Sequence, residues 1–211
     1  MLYLIQEGVT AIDETYSKPL RDVGPISVSP VAGTYRDLAA WTGIAVDSPP
    51  CQKAGLVNPR FPIYLENFNV PAVEKAYSVY AEGVSGASPF NNSLFMWESY
   101  ATKGVREIDG ASTAFAFRDE NILAAPLITY MPDANDDTLD ARAAELGNKL
   151  RDLLHEATGR ETYRAYVNYA YGNEDDEQLY GSEKWRQCKL RALKKTYDPK
   201  EKFSFYNPIR I

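Results

Sequence analysis

The run Tyr163-Arg164-Ala165-Tyr166-Val167-Asn168-Tyr169-Ala170-Tyr171-Gly172 brings a guanidinium, several phenols and a carboxamide into one short stretch. It is dense in aromatic and β-branched residues and closed by Gly172-Asn173, so it is predicted to be a strand. Alternation along a strand puts Arg164, Tyr166 and Asn168 on one face and Ala165, Val167 and Tyr169 on the other. The second set suits packing against helices. The first can donate, accept and pass a proton. A phenol of ordinary pKa about 10 serves as a general base when a neighbouring cation or hydrogen bond supports the phenolate, and Arg164 is placed to be that cation. A half-exposed strand whose Tyr166 and Asn168 merely satisfy adjacent backbone accounts for the same residues.

Other chemistries are poorly supplied. With His155 the sole histidine and only Cys51 and Cys188 as thiols, neither a zinc site nor a Ser-His-Asp triad can be assembled, and no metal is expected. Gly83-Val84-Ser85-Gly86 does not lie between a strand and a helix as a phosphate loop requires. The paired carboxylates at Asp136-Asp137 and Glu174-Asp175-Asp176-Glu177 read as solvated charges at a helix start and in a loop. A net charge of −6 argues against a nucleic-acid surface. No apolar run approaches membrane-spanning length, and Met1 to Gln6 is too short for the apolar region of a signal peptide.

The elements that must hold this stretch follow from periodicity. At 211 residues, with 45% hydrophobic and 25% charged content, the chain can bury a substantial core as one domain. Strands are expected at Met1 to Gln6, Ile26 to Ser29, Ser93 to Tyr100, Thr113 to Arg118 and Asn121 to Met131, the last apolar on both faces and so central. Helices are expected from Thr10 to Arg21, after Gly33-Thr34 through Trp41, from Pro71 to Gly83, from Asp137 to Thr158 and from Glu183 to Tyr197. Ala45 to Phe61, with Pro49-Pro50, reads as a long loop. Few connections are long enough for parallel crossovers. The expectation is an α+β fold, a mostly antiparallel β-sheet with helices packed on one face.

Tyr166-x-Asn168-Tyr169, then Tyr180-Gly181, a helix from Trp185 to Lys195, and Tyr197-Asp198-Pro199-x-x-x-Phe203 occur in one order and spacing. Together they resemble the C-terminal end, about residues 163–211, of berberine-bridge-enzyme-like FAD-linked oxidoreductases of the vanillyl-alcohol-oxidase type. Thr113-Ala114-Phe115-Ala116-Phe117-Arg118 is similar to that family's Thr-Ala-Phe-x-x-Arg strand.

The resemblance implies that residues 1–211 form a substrate-binding domain whose sheet lies over a flavin. It makes Tyr166 the base that takes the proton of a small-molecule substrate and Asn168 the flavin contact. Plant members place a lysine and a glutamine after the Thr-Ala-Phe-x-x-Arg strand to tune the tyrosine, and counting puts Ala124 and Pro126 there. The family binds FAD mainly through an N-terminal domain to which nothing here corresponds. FAD is therefore expected only with a separate FAD-binding domain, and the chain alone is expected to be redox-inactive. A fragment, a separately encoded half and a stand-alone descendant all fit. So does self-association through the exposed sheet face. Secretion is common in the family. The alternative function is a stand-alone, non-redox small-molecule-binding or cyclase-like domain using the same pocket.

Overall fold

A computed structural model describes residues 1–48, 51–52 and 54–210, which form two compact units, 1–54 and 55–211. Pro49-Pro50, expected in a loop, lie outside the described residues.

In the first unit, α1 (Glu14–Asp22) starts four residues later than periodicity predicts, because the Asp13 carboxylate accepts the Thr15 N–H at 2.7 Å and caps it there. Thr34 and Asp37 form a capping box that opens a 3-10 turn, Tyr35–Asp37, leading into α2 (Leu38–Trp41). Met1 to Gln6 and Ile26 to Ser29 are not strands. Their composition favours extended backbone, but neither has a ladder partner.

The second unit is built on three antiparallel strands, β1 (Ile63–Leu65), β2 (Leu94–Glu98) and β3 (Ile122–Leu127), in the order β1-β3-β2. β3 is central, as its two-sided apolar pattern predicts. Ile63 lies opposite Ala124, which faces Trp97, and Tyr64 lies opposite Leu123, which faces Glu98. Two long helices, α3 (Val70–Val84) and α5 (Leu139–Glu156), pack with one face of this sheet. Ile63, Leu65, Ala124, Ala76, Ala143, Leu150 and Leu154 make the dry centre. Gly147 lets α5 come this close: a Cβ there would sit 2.1 Å from the Phe61 ring. The architecture is α+β, antiparallel, with helices on one face.

Several local expectations differ. Thr113 to Arg118 is not a strand; Arg118 is spent locally, donating at 2.9 Å to the carbonyl of Val105 in the short helix α4 (Lys103–Arg106). The acidic loop contains a short helix, α6 (Asp176–Tyr180), opened by an Asp175/Gln178 capping box. Within it Glu174 is not a solvated charge. Its carboxylate is buried, accepts from Arg151 at 2.6 Å, and takes the Tyr171 and Gly172 N–H groups at 3.1 and 2.8 Å. The final helix, α7 (Lys184–Tyr197), matches its expected range to a residue, and Asp198 closes it by accepting the Lys202 and Phe203 N–H groups at 2.6 and 3.0 Å.

Candidate active site

Tyr163 to Gly172 is not a strand. It is extended backbone broken by a 3-10 turn at Val167–Tyr169. Two bonds from backbone to backbone fix its first residues to neighbouring elements: Tyr64 N–H of β1 donates to the Arg164 carbonyl at 2.8 Å, and Ala165 N–H donates to the Gln178 carbonyl, also at 2.8 Å. A single bond to the sheet edge does not make a ladder, so the predicted alternation ends at the turn. Val167 is only half-buried and packs with Ala165, Ala170 and Leu179 rather than beneath α5 or α7.

The turn brings four phenols together on the sheet face that α3 and α5 leave uncovered. Ile63 and Leu65 point into the helix-side core, so Tyr64 between them points the other way. The same parity carries Leu123 and Glu98 onto this face in one row across the sheet. The Tyr166 ring lies 6.2 Å from that of Tyr64 and meets Tyr169 edge to face at 5.2 Å. Asn168, exposed, donates from its amide nitrogen to the Tyr166 hydroxyl oxygen at 2.9 Å. Tyr169 donates to Glu98 Oε1 at 2.9 Å, and Tyr100 donates to Glu98 Oε2 at 2.6 Å. The Arg60 guanidinium stands 4.6 Å over the Tyr169 ring.

These contacts divide the tyrosines by role. Burial, reinforced by the Glu98 acceptor and its charge and only partly opposed by Arg60, pushes Tyr169 up to about 12. Burial first, with Tyr166, Glu120 and Glu98 adding to it, holds Tyr64 well above the ordinary phenol range; burial and Glu98 do the same for Tyr100. All three stay protonated near neutrality, and Tyr169 and Tyr100 act as donors to Glu98. Tyr166 is arranged differently: its oxygen accepts from Asn168, and its own hydrogen has no protein acceptor among the described residues. That proton is uncommitted, and an N–H donor already points at the oxygen where charge develops when it leaves.

One expectation fails here. Arg164 does not support Tyr166: its guanidinium is bound to the buried Glu120 at 2.6 Å, where Arg160 also reaches at 2.9 Å. Ala124 and Pro126 share the helix-side parity of β3 and are buried, so no side chain at either position faces the tyrosines. The polar group beside the phenols is instead Glu98, which sequence reasoning missed. It forms no ion pair among the described residues, and its partner Tyr169 is 71 positions away. Among the described residues no His, Cys, Asp and Glu side chains group as a metal site, and no helix is long and apolar enough to cross a membrane. Cys51 and Cys188 are free and exposed.

Residues 165–210 match the family model described as "Berberine and berberine like". The FAD-linked oxidoreductase chyH of Penicillium rubens is 54% identical over 99% of this chain and 41% of its own length. The FAD-linked oxidoreductase chry5 of Gibberella zeae is 49% identical over 99% of this chain and, again, 41% of its own. The solved structure of Physcomitrella patens BBE-like 1 aligns with 94% of the chain and 43% of its own at a TM-score of 0.61 and 17% identity, a likeness of fold. The chain spans about two fifths of the length of the curated relatives it matches. Over that span the chain is similar to berberine-bridge-enzyme-like FAD-linked oxidoreductases, and residues 165–210 carry that family's C-terminal segment.

Proposed function

We propose that this chain is the substrate-binding part of an FAD-dependent oxidase acting on a small organic or sugar substrate, with Tyr166 as base and Asn168 as the flavin contact. The domain reading, a substrate-binding domain over 1–211 with its berberine-bridge-like segment at about 163–211, is part of the proposal. The observation that carries it is the Asn168–Tyr166 hydrogen bond, set beside Tyr64, Tyr169 and Glu98 on the helix-free sheet face.

The residues present fit one part of FAD. Asn168 is exposed, its amide oxygen has no protein donor among the described residues, and it is bonded to Tyr166, whose ring lies beside those of Tyr64 and Tyr169. A flat ring system with a hydrogen-bonding edge suits that surface. The chain has no glycine-rich loop for the phosphates, and these are assigned to a separate FAD-binding domain. When bound, the flavin supplies the redox step by accepting a hydride from substrate carbon. Tyr166, once its own proton has gone to solvent, takes the substrate proton as the phenolate, whose charge the Asn168 N–H stabilises. Tyr169, protonated and held by Glu98, fixes the Tyr166 ring through their edge-to-face contact.

The test is visible absorption of the purified chain, alone and after co-expression with the part of chyH that it does not match. Flavin colour is expected only in the complex. A yellow chain on its own, or a colourless complex, contradicts the proposal. Calorimetric binding of small aromatic compounds by the colourless chain, with no flavin taken up in the complex, would favour the stand-alone binding domain instead.

A further inference from the structure

We propose that residues 1–54 are a docking segment whose apolar side chains are covered by the FAD-binding portion of the complete oxidase; this rests on the function proposed above. Among the described residues of this unit no apolar side chain is buried, and Ser17 is the sole buried residue. Leu2, Ile5, Val23, Ile26, Val28 and Tyr35 are all exposed, Ile26 and Tyr35 almost entirely so. So many exposed apolar side chains in one short unit, with none buried, leave it without a core of its own.

The unit's order is local. α1 is nine residues long and capped by Asp13, α2 is four and follows the capped 3-10 turn, and helices this short do not persist in water without packing. Residues 55–211 show the contrast, with Phe61, Ile63, Ile128 and Leu150 fully buried. Ordering a chain is opposed by conformational entropy, which apolar burial must offset. The first unit has none of its own, so the cover comes from elsewhere.

The relatives indicate what the cover is. The matches to chyH and chry5 run over nearly all of this chain, first unit included, while most of each relative's length lies outside the match. In those proteins the equivalent of residues 1–54 is continuous with a much larger body of polypeptide. The surface does not suit an anionic membrane: α1 mixes Glu14 and Asp22 with Lys18 and Arg21 instead of presenting a basic face.

Amide hydrogen exchange reads this directly, on the full chain alone and in complex with the unmatched part of chyH. Alone, amides of 1–54 are expected to exchange at least tenfold faster than those of α5; in the complex they slow at least tenfold. The double variant Ile5→Asp/Ile26→Asp should leave the melting temperature of the chain unchanged and lower complex recovery at least tenfold. Protection of 1–54 in the monomeric chain, or in a stable dimer of the chain, overturns the proposal, as does failure of any complex to form. A complex that holds flavin while 1–54 exchanges freely overturns it and leaves the functional reading standing. Protection of 1–54 in a complex without flavin does the reverse.

Discussion

The two faces of one three-stranded sheet are built from alternating residues of the same strands, yet they serve opposite ends. Toward α3 and α5 stand Ile63, Leu65 and Ala124, sealed from water, with the half-buried Trp97 beside them. Away from the helices the neighbouring positions carry Tyr64, Leu123 and Glu98, and the Val167–Tyr169 turn lays Tyr166, Asn168 and Tyr169 beside them. One residue's shift along a strand exchanges a group that stabilises the fold for one that can handle a proton. Substitutions on the first side should therefore lower stability, and those on the second should lower activity while stability barely changes.

The largest expected effect comes from the strut behind the site. Glu174→Ala leaves Arg151 buried without its carboxylate and the Tyr171 and Gly172 amides without an acceptor. Denaturant unfolding should show a loss of about 3–5 kcal/mol. A loss under about 1 kcal/mol would mean that water reaches the pair. On the helix side, Leu150→Ala removes a fully buried side chain from α5 and should cost about 2–5 kcal/mol in the same assay.

A smaller effect separates the faces by pH. Tyr169 is raised to about 12 from an ordinary value of about 10. The folded state therefore holds its phenolic proton more tightly than the unfolded one. Its contribution is fully present below about pH 10 and is lost as pH rises through about 12. Chemical denaturation across that range should show stability falling, and Tyr169→Phe should make the fall shallower. An unchanged slope in the variant would remove Tyr169 from the account.

The helix side was far more legible in sequence than the site. α3, α5 and α7 are long enough for the helical period to show, and β3 announced its central place by being apolar on both faces. β1 has three residues, too few for any pattern. Tyr163 to Gly172 has the composition of a strand, but composition does not say whether a partner exists, and here only the Arg164 carbonyl bonds to β1. Tyr166 and Asn168 lie two positions apart, so the bond between them needs only the local chain. Glu98 was not readable, since its bonds to Tyr169 and Tyr100 exist only after the sheet and the turn have formed. Arg164 misled because proximity along the chain suggested Tyr166, whereas the fold gives it to Glu120.

The central claim is that Tyr166 belongs to the chemistry and not to the packing, and the variant Tyr166→Phe measures both at once. Tyr166 is half-buried, and among the described residues the one hydrogen bond of its hydroxyl is to the exposed Asn168. A thermal melt should place the variant within about 0.5 kcal/mol of the parent chain. In complex with a flavin-binding portion, turnover should fall by roughly a hundredfold or more, as loss of a general base entails. Destabilisation by more than about 1 kcal/mol, or turnover equal to that of the parent complex, would contradict the account.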